Sequence, residues 1–344
     1  MISNNFIHSD NLSPTTLSEI GRVCGWVAPN DFLGAFAYAT QSGVASFELE
    51  FGDAFWANTS SRWLFGIDYG RTQPEALRRL SQQENSEIRV VDGAWVLEQA
   101  GFVPRRDFHA KLSLISNSVD VRYGMVVGSG NFSSNGLRKS VEAGASFLCA
   151  NENDYNETLA ASVAIAQSLW DEATPLDSVL TIYEERWAES FAGNAHVDQE
   201  DGGEIDGPED LFWIEAGYVT KNRGPNAAGN QIDLPRGMSR YFGFDPDDNL
   251  PVNSTIGEVT FLTPVGISVT RNIRLGNNHM EKITLPIPET HGIDIYDGKI
   301  IVFQRSVAGF LIRALEFDDF GKAFGERLSA VRVMGSGRRY GHIE

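Results

Sequence analysis

The 344 residues predict two folds in one chain: an α/β domain with a mixed sheet flanked by helices, then a mostly-β domain closed as a barrel or sandwich. Three observations carry that reading. Up to Trp170, apolar runs of strand length alternate with stretches of helical spacing. From residue 211 onward only short apolar runs occur, and Gly, Pro, Asn and Asp break them. Between the two lies Glu189–Asp210, a Gly-rich acidic block without periodic apolar positions, which reads as a tether. The expected division is therefore 1–188, a linker at 189–210, and 211–344, close to the size a single domain usually has.

The first region is justified element by element. Phe32–Ala39, Trp63–Ile67 and Ile88–Val91 are short buried-strand runs, and Gln73–Gln82 has helical spacing. Phe108–Ile115 alternates Phe108, Ala110, Leu112 and Leu114 against His109, Lys111 and Ser113, which predicts a strand. Tyr123–Val127 and Val141–Leu148 complete a strand-rich centre. Asn153–Trp170 predicts one helix with Leu159, Val163, Ala166 and Leu169 on its inner face. In the second region, Trp213–Val219, Glu258–Leu262, Ile267–Leu275, Glu281–Ile287 and Lys299–Phe303 predict strands. Thr263-Pro-Val-Gly266 and Tyr296-Asp-Gly298 predict tight turns, and Asp318–Val331 predicts a helix.

Composition excludes several classes. An apolar content of 42% is too high for a disordered chain. Cys24 and Cys149 are too few for a disulfide framework or a four-cysteine zinc site, so a reduced, cytoplasmic protein is expected. The start, Met1–Thr16, shows no basic-then-apolar leader. The longest uncharged stretch, Phe32–Phe47, falls short of the roughly 20 apolar residues of a membrane span. His8, His196, His279, His291 and His342 are scattered without metal-ligand spacing, so no resident metal is expected. No GxxxxGK[ST] loop occurs, so any use of ATP belongs to a partner.

The net charge of −18 is unevenly placed. Residues 1–188 hold 13 Lys+Arg against 23 Asp+Glu, a balance of −10. Residues 189–210 hold 8 acids and no base. Residues 211–344 hold 15 of each and balance at zero. A polyanionic partner therefore needs a local basic face rather than a basic average.

The chemistry concentrates in Asp107–Phe147. His109-Ala-Lys111 precedes Gly128-Ser129-Gly130-Asn131, and Glu142 follows eleven residues after the Asn. Metal-free cleavage of a phosphodiester needs a nucleophile, a cation for the phosphoryl oxygens and an acid for the leaving oxygen. An imidazole can attack through one nitrogen while the other donates to a carboxylate. His109, Lys111, the Asn131 amide and Glu142 supply those groups, and Gly128 and Gly130 allow backbone to approach a phosphate. Either half alone is weak, because HxK recurs by chance and GSGN can be a plain turn. In order, on successive strand-like runs, they carry weight together.

This arrangement resembles the signature of the phospholipase D superfamily, with Ser129 inside its second half. The superfamily's Asp after the Lys is missing: Ser116 stands at its spacing and Asp120 comes four residues late. That departure is similar to the restriction-endonuclease branch, the BfiI-like and NgoFVII-like enzymes, where a glutamate downstream of the Asn completes the site. The resemblance implies a phospholipase D-like nuclease domain followed by a DNA-recognition pseudobarrel of the plant B-three type. The closing Gly335–Ile343 segment is similar to the tail of that family. The superfamily uses two motifs and this chain has one, so the resemblance implies a homodimer sharing one central site. There one His109 forms a phosphohistidine, the other acts as general acid, and Glu142 holds the tautomer.

It further implies double-stranded DNA as substrate, metal-independent cleavage, and in some relatives a separate ATP-driven translocase. Two segments carry the side chains that read base edges in a major groove: Lys221, Asn222, Arg223, Asn226, Asn230 and Gln231 in one, and Arg271, Asn272, Arg274, Asn277, Asn278 and His279 in the other. Arg236, Arg240, Arg338 and Arg339 are expected on phosphates. Eight acids of the tether could mimic DNA in the nuclease groove. A lipid phosphodiesterase of the same superfamily, or a DNA-binding module with a dead site, are the alternative readings.

Overall fold

The computed structural model describes residues 1–10, 12–192, 210–224, 227–245, 249–277, 280–334 and 336–344, which form two compact units, Met1–Phe191 and Ala192–Glu344. In the first unit the elements run β1 (Ile2–His8), α1 (Thr16–Val27), β2 (Asp31–Phe36), α2 (Gln41–Asn58), β3 (Ser60–Phe65), α3 (Pro74–Ser81), β4 (Ser86–Val90) and α4 (Gly93–Glu98). They continue with β5 (Lys111–Asn117), β6 (Arg122–Gly128), β7 (Glu142–Cys149), α5 (Glu152–Thr158), α6 (Ala160–Glu172), β8 (Thr174–Pro175) and α7 (Leu180–Ala192).

The strands make one mixed sheet, ordered β1-β7-β6-β5-β2-β3-β4-β8, in which β2, β3 and β4 are parallel. β2 and the second half of β3 are almost wholly apolar because helices cover both faces. Leu17, Ile20 and Val23 of α1, Val44 and Phe47 of α2 and Leu77 of α3 pack with Phe32, Phe36, Trp63 and Phe65 on one face. Leu159, Ala166 and Trp170 close the other face over Leu33, Leu64, Leu114 and Met125. Thr15 caps α1 reciprocally with Ser18, and Thr40 caps α2. The expected helix over Asn153–Trp170 is two helices: the Leu159 N–H closes α5 on Tyr155 and α6 starts after it. Its inward face is still the expected one.

The second unit runs β9 (Leu211–Glu215), β10 (Gln231–Leu234), β11 (Thr255–Leu262), β12 (Ser268–Leu275), β13 (Glu281–Thr284), α8 (Pro288–His291), β14 (Ile300–Ser306), β15 (Gly309–Leu315), α9 (Phe317–Phe324), β16 (Leu328–Val333) and β17 (Arg339–Ile343). Its nine strands form one sheet, β10-β13-β12-β11-β15-β14-β9-β17-β16, antiparallel except where β11 meets β15. One face packs Phe212, Phe261, Ile273, Ile283 and Phe303; the other packs Trp213, Ile300 and Val302 under Phe320 of α9. The β11–β12 hairpin turns at Thr263–Gly266 as expected, with Gly266 at φ 76°.

Two expectations fail here. The helix expected over Asp318–Val331 stops at Phe324, because Leu328–Val333 extends instead and pairs with β17 at the sheet edge. Residues 189–192 of the expected tether are helical instead, since α7 continues to Ala192; residues 193–209, which hold Asp198, Glu200, Asp201 and Glu204, lie outside the described residues.

Candidate active site

Register brings the motif residues to one end of the first sheet. Phe36 of β2 faces Lys111, Gly128 of β6 faces Gly144, and Glu142 of β7 faces His8 of β1. Side chains alternate along a strand, so Glu142, Gly144 and Ser146 share a face. Ser146 Oγ donates to Glu19 of α1 at 2.8 Å, which fixes that face as the one α1 covers. His8, Lys111 and Gly128 fall on the same face by the same count of two.

Lys111 opens β5 and is half-buried. Burial holds its ammonium below the usual lysine range, with the Glu142 carboxylate pulling the other way. Its Nζ donates to the His109 carbonyl at 3.0 Å. His109 itself is exposed and stands before the strand, not on it. The expected alternation stops short because the ladder to β2 ends at Lys111 and the ladder to β6 at Leu112. The preceding Phe108 is buried, and its N–H donates to Asp68 Oδ2 at 2.9 Å.

Beyond β6 the chain turns sharply. Ser129 N–H donates to Ala143 O at 2.9 Å, and Ser129 Oγ donates to the Glu142 carboxylate while accepting from Ala143 N–H. Glu142 is thus engaged by Ser129 and acts electrostatically on Lys111, whereas the sequence suggested a bond to His109. Gly130 is required by its neighbours rather than by a phosphate: a Cβ there would lie 2.2 Å from Gly136 O and 2.8 Å from Thr16 Oγ1. At Gly128 a Cβ would lie 2.7 Å from Ala143 O.

Asn131 is anchored by the residue after it. Phe132 is fully buried among Phe36, Phe47, Trp63 and Phe65, and its carbonyl accepts from Thr40 N–H at 2.9 Å. A single π-helical turn, Asn135–Lys139, follows; such turns are rare and concentrate at functional sites. Asn131 Oδ1 and Thr16 Oγ1 are buried without a hydrogen-bond partner among the described residues. Buried polar atoms are nearly always satisfied, so two orphans beside one glycine turn mark a place where a ligand or water supplies the missing partners.

Three neighbours of this site were not legible in the sequence. His8, set aside as a scattered histidine, is buried directly across from Glu142, with Nδ1 3.3 Å from Ser13 Oγ. Thr16 arrives on α1, and Asp68 follows β3. Only the pairing of β1 with β7 could have revealed His8, and a separation of more than 130 residues hides it.

In the second unit, several expected DNA contacts are tied inside the domain. The Arg338 guanidinium donates to the carbonyls of Glu215 and Ala216, each at 3.3 Å, and of Asp233 at 2.9 Å. Burial lowers its pKa below the usual guanidinium range. Arg339 forks onto Glu215 and lies over the Phe317 ring. Asn230 is buried and donates to Leu285 O at 3.0 Å. These three hold strands together, whereas the sequence suggested contacts to bases and phosphates. Arg223 donates to Ala228 O and Glu289, both at 2.8 Å.

The stretch from Thr270 to Leu275 belongs to β12 rather than to a loop. It contributes to one polar row: Asn222 donates to Gln231 O, Gln231 Nε2 donates to Thr284 Oγ1, and Thr284 Oγ1 donates to Asn272 Oδ1. Both candidate segments therefore meet on one face of β10, β13 and β12. Arg274 faces Lys282 two residues along that face and is half-buried; Arg271, also half-buried, alternates to the opposite face, where it pairs with Val259. Arg236 and Asn277 are exposed, and Arg240 pairs with Asp245. The side chain of Lys221, and Asn226, Asn278 and His279, lie outside the described residues.

Among the described residues no group of three or more His, Cys, Asp or Glu could hold a metal ion, and no helix is long and apolar enough to cross a membrane.

No family model and no curated protein matches the chain. Solved structures do. NucT from Helicobacter pylori aligns over 51% of this chain and 98% of its own, at 12% identity and a TM-score of 0.35. Nuc from Salmonella typhimurium, a phospholipase D family member, aligns over 51% and 97%, at 10% identity and 0.33. The B3 domain of the UbaLAI restriction endonuclease, solved with cognate DNA, aligns over 40% and 89%, at 15% identity and 0.26. At these scores none of them decides the function, which rests on the residues of the site.

Proposed function

We propose that the chain is a phospholipase D-like nuclease of a restriction system: a site-specific DNA endonuclease that needs no metal ion and works as a homodimer. The observation that supports this is that Lys111, Ser129 and Glu142 stand at one sheet end, with His109 two residues before Lys111, Asn131 two after Ser129, and the oxygens Asn131 Oδ1 and Thr16 Oγ1 buried without a partner among the described residues. His109, exposed and unburdened by a strand ladder, is the nucleophile. Its imidazole forms a P–N bond to the scissile phosphorus while the imidazole of a second copy gives its proton to the departing sugar oxygen. Water then breaks the P–N bond and returns the proton. The Lys111 ammonium neutralises the phosphoryl oxygens and Asn131 Nδ2 donates to them, where stabilising donors act most strongly in a half-buried site. Glu142, through Ser129, keeps the turn closed around them.

The second unit is the reader, a B-three-like pseudobarrel whose polar row across β10, β13 and β12 lies against the major groove. Any ATP-dependent translocase is a separate subunit acting on the same DNA. The decisive experiment incubates purified protein with plasmid DNA in excess EDTA, with and without ATP and host extract, and sequences the ends. Cleavage at a fixed site in chelator is expected. Cleavage only with added Mg²⁺ would overturn the metal-free mechanism. Hydrolysis of phospholipid vesicles in place of DNA would install the lipid phosphodiesterase, and specific DNA binding with no cleavage would leave a binding module with a dead site.

A further inference from the structure

His109 carries the proposed chemistry, yet no strand ladder holds it. What holds it instead is a short turn from elsewhere in the sheet. Asp68–Gly70 follows β3, and its two first residues grip the two residues before His109 separately. Asp68 is buried, and its carboxylate accepts the Phe108 N–H at 2.9 Å. Tyr69 Oη donates to Asp107 Oδ1 at 2.9 Å.

The turn is itself braced. Trp187 Nε1 of α7 donates to the Gly70 carbonyl at 2.8 Å, and Arg71 N–H closes back on Asp68 O at 3.2 Å. Tyr69 sits at φ 56°, ψ 20°, in the left-handed region that a bulky side chain rarely occupies, and it is half exposed rather than locked into the core. Such a backbone is strained and persists where the surroundings over-determine it. Replacing Tyr69 by glycine would relieve that strain, so a tyrosine in this place is there for its ring and hydroxyl.

We infer that Asp68 and Tyr69 are positioning residues for His109, fixing the 107–109 segment so that the imidazole stays at the sheet end beside Lys111 and Asn131. Burial lifts the Asp68 carboxyl above the usual carboxylate range, the Phe108 N–H opposes this, and Asp107 adds to it while His109 counters it, which places both groups within electrostatic reach of the turn. In the restriction-nuclease reading on which this rests, the turn supplies the local order that the missing acid after Lys111 does not.

The test compares full-length Asp68→Ala, Asp68→Asn, Tyr69→Phe and Tyr69→Gly with His109→Ala, measuring kcat and KM on a cognate oligonucleotide together with Tm. Misplacing a reacting group by about 1 Å can cost about 10²-fold in rate, so Asp68→Ala is expected to lose that much kcat with KM unchanged. Asp68→Asn, whose amide oxygen can still accept from Phe108 N–H, restores most of it. Tyr69→Gly keeps or raises Tm yet lowers kcat, a split that a purely structural tyrosine would not give. Should Asp68→Ala fail to fold, Tyr69→Phe, which deletes one surface oxygen, decides alone. Full kcat in Tyr69→Phe and Tyr69→Gly alongside an inactive His109→Ala would overturn the positioning role and leave the nuclease standing. Cleavage surviving in His109→Ala would overturn both.

Discussion

The candidate active site of the first unit and the candidate reading residues of the second treat their polar groups in opposite ways. At the end of the first sheet, backbone is crowded into a glycine turn and polar atoms are left over: Asn131 Oδ1 and Thr16 Oγ1 lack partners among the described residues. In the second unit, side chains of the type that read bases are largely consumed by their own domain, as Arg338, Arg339 and Asn230 show. Residue type alone therefore overstates a recognition surface and understates a reactive site. What distinguishes them is whether the fold already satisfies the group.

That contrast can be broken or sharpened by substitution, in order of expected effect. His109→Ala removes the nucleophile and should lower cleavage by at least about 10³-fold while gel-shift affinity for the cognate site stays unchanged. A comparable loss of binding would mean the two units do not divide the labour. Phe132→Ala empties the aromatic cage behind Asn131 and should cost about 3–5 kcal/mol, read as a fall in Tm of the first unit. Lys111→Ala should reduce kcat by about 10²–10³-fold, since it removes one charge-stabilising donor from a half-buried place. An effect on KM alone would make Lys111 a binding residue only.

Arg338→Ala and Arg274→Ala sharpen the other half. The first should destabilise the second unit by about 1–3 kcal/mol in denaturant titration, because three buried carbonyls lose their donor. The second should leave stability intact and weaken specific binding by about 1–3 kcal/mol, the worth of one good base contact. Arg223→Ala is intermediate: its guanidinium also neutralises Glu289, so a binding loss without any Tm shift would show that it releases that carboxylate on meeting DNA.

The fold class was legible because strand-length apolar runs such as Phe32–Phe36 and Trp63–Phe65 have no alternative to a sheet buried on both faces. The His109, Lys111, Asn131 and Glu142 candidates could be picked out together because they lie within 34 residues of one another, on or beside three consecutive strands. Three things were not. His109 left its strand because two neighbouring ladders end early, a property of register that alternation cannot reveal. Residues 318–331 read as a helix because edge strands with mixed polarity lack a period of two. Asp68, Tyr69 and His8 escaped notice because nothing local marks them; each is brought in by strands distant in the sequence.

The pairing of Ile2–His8 with Glu142–Leu148 has a consequence for biosynthesis. β1 has no partner in the sheet until β7, the last long strand of that sheet, has been made. His109 and Lys111 are made before Glu142, and the β7 edge of their sheet closes only when β1 folds back onto it. In the nuclease proposed above, an incomplete chain is therefore expected to stay inactive until its first unit is whole. Hydrogen exchange on stalled nascent chains checks this: protection at Ile2–His8 before residue 142 has emerged would contradict it.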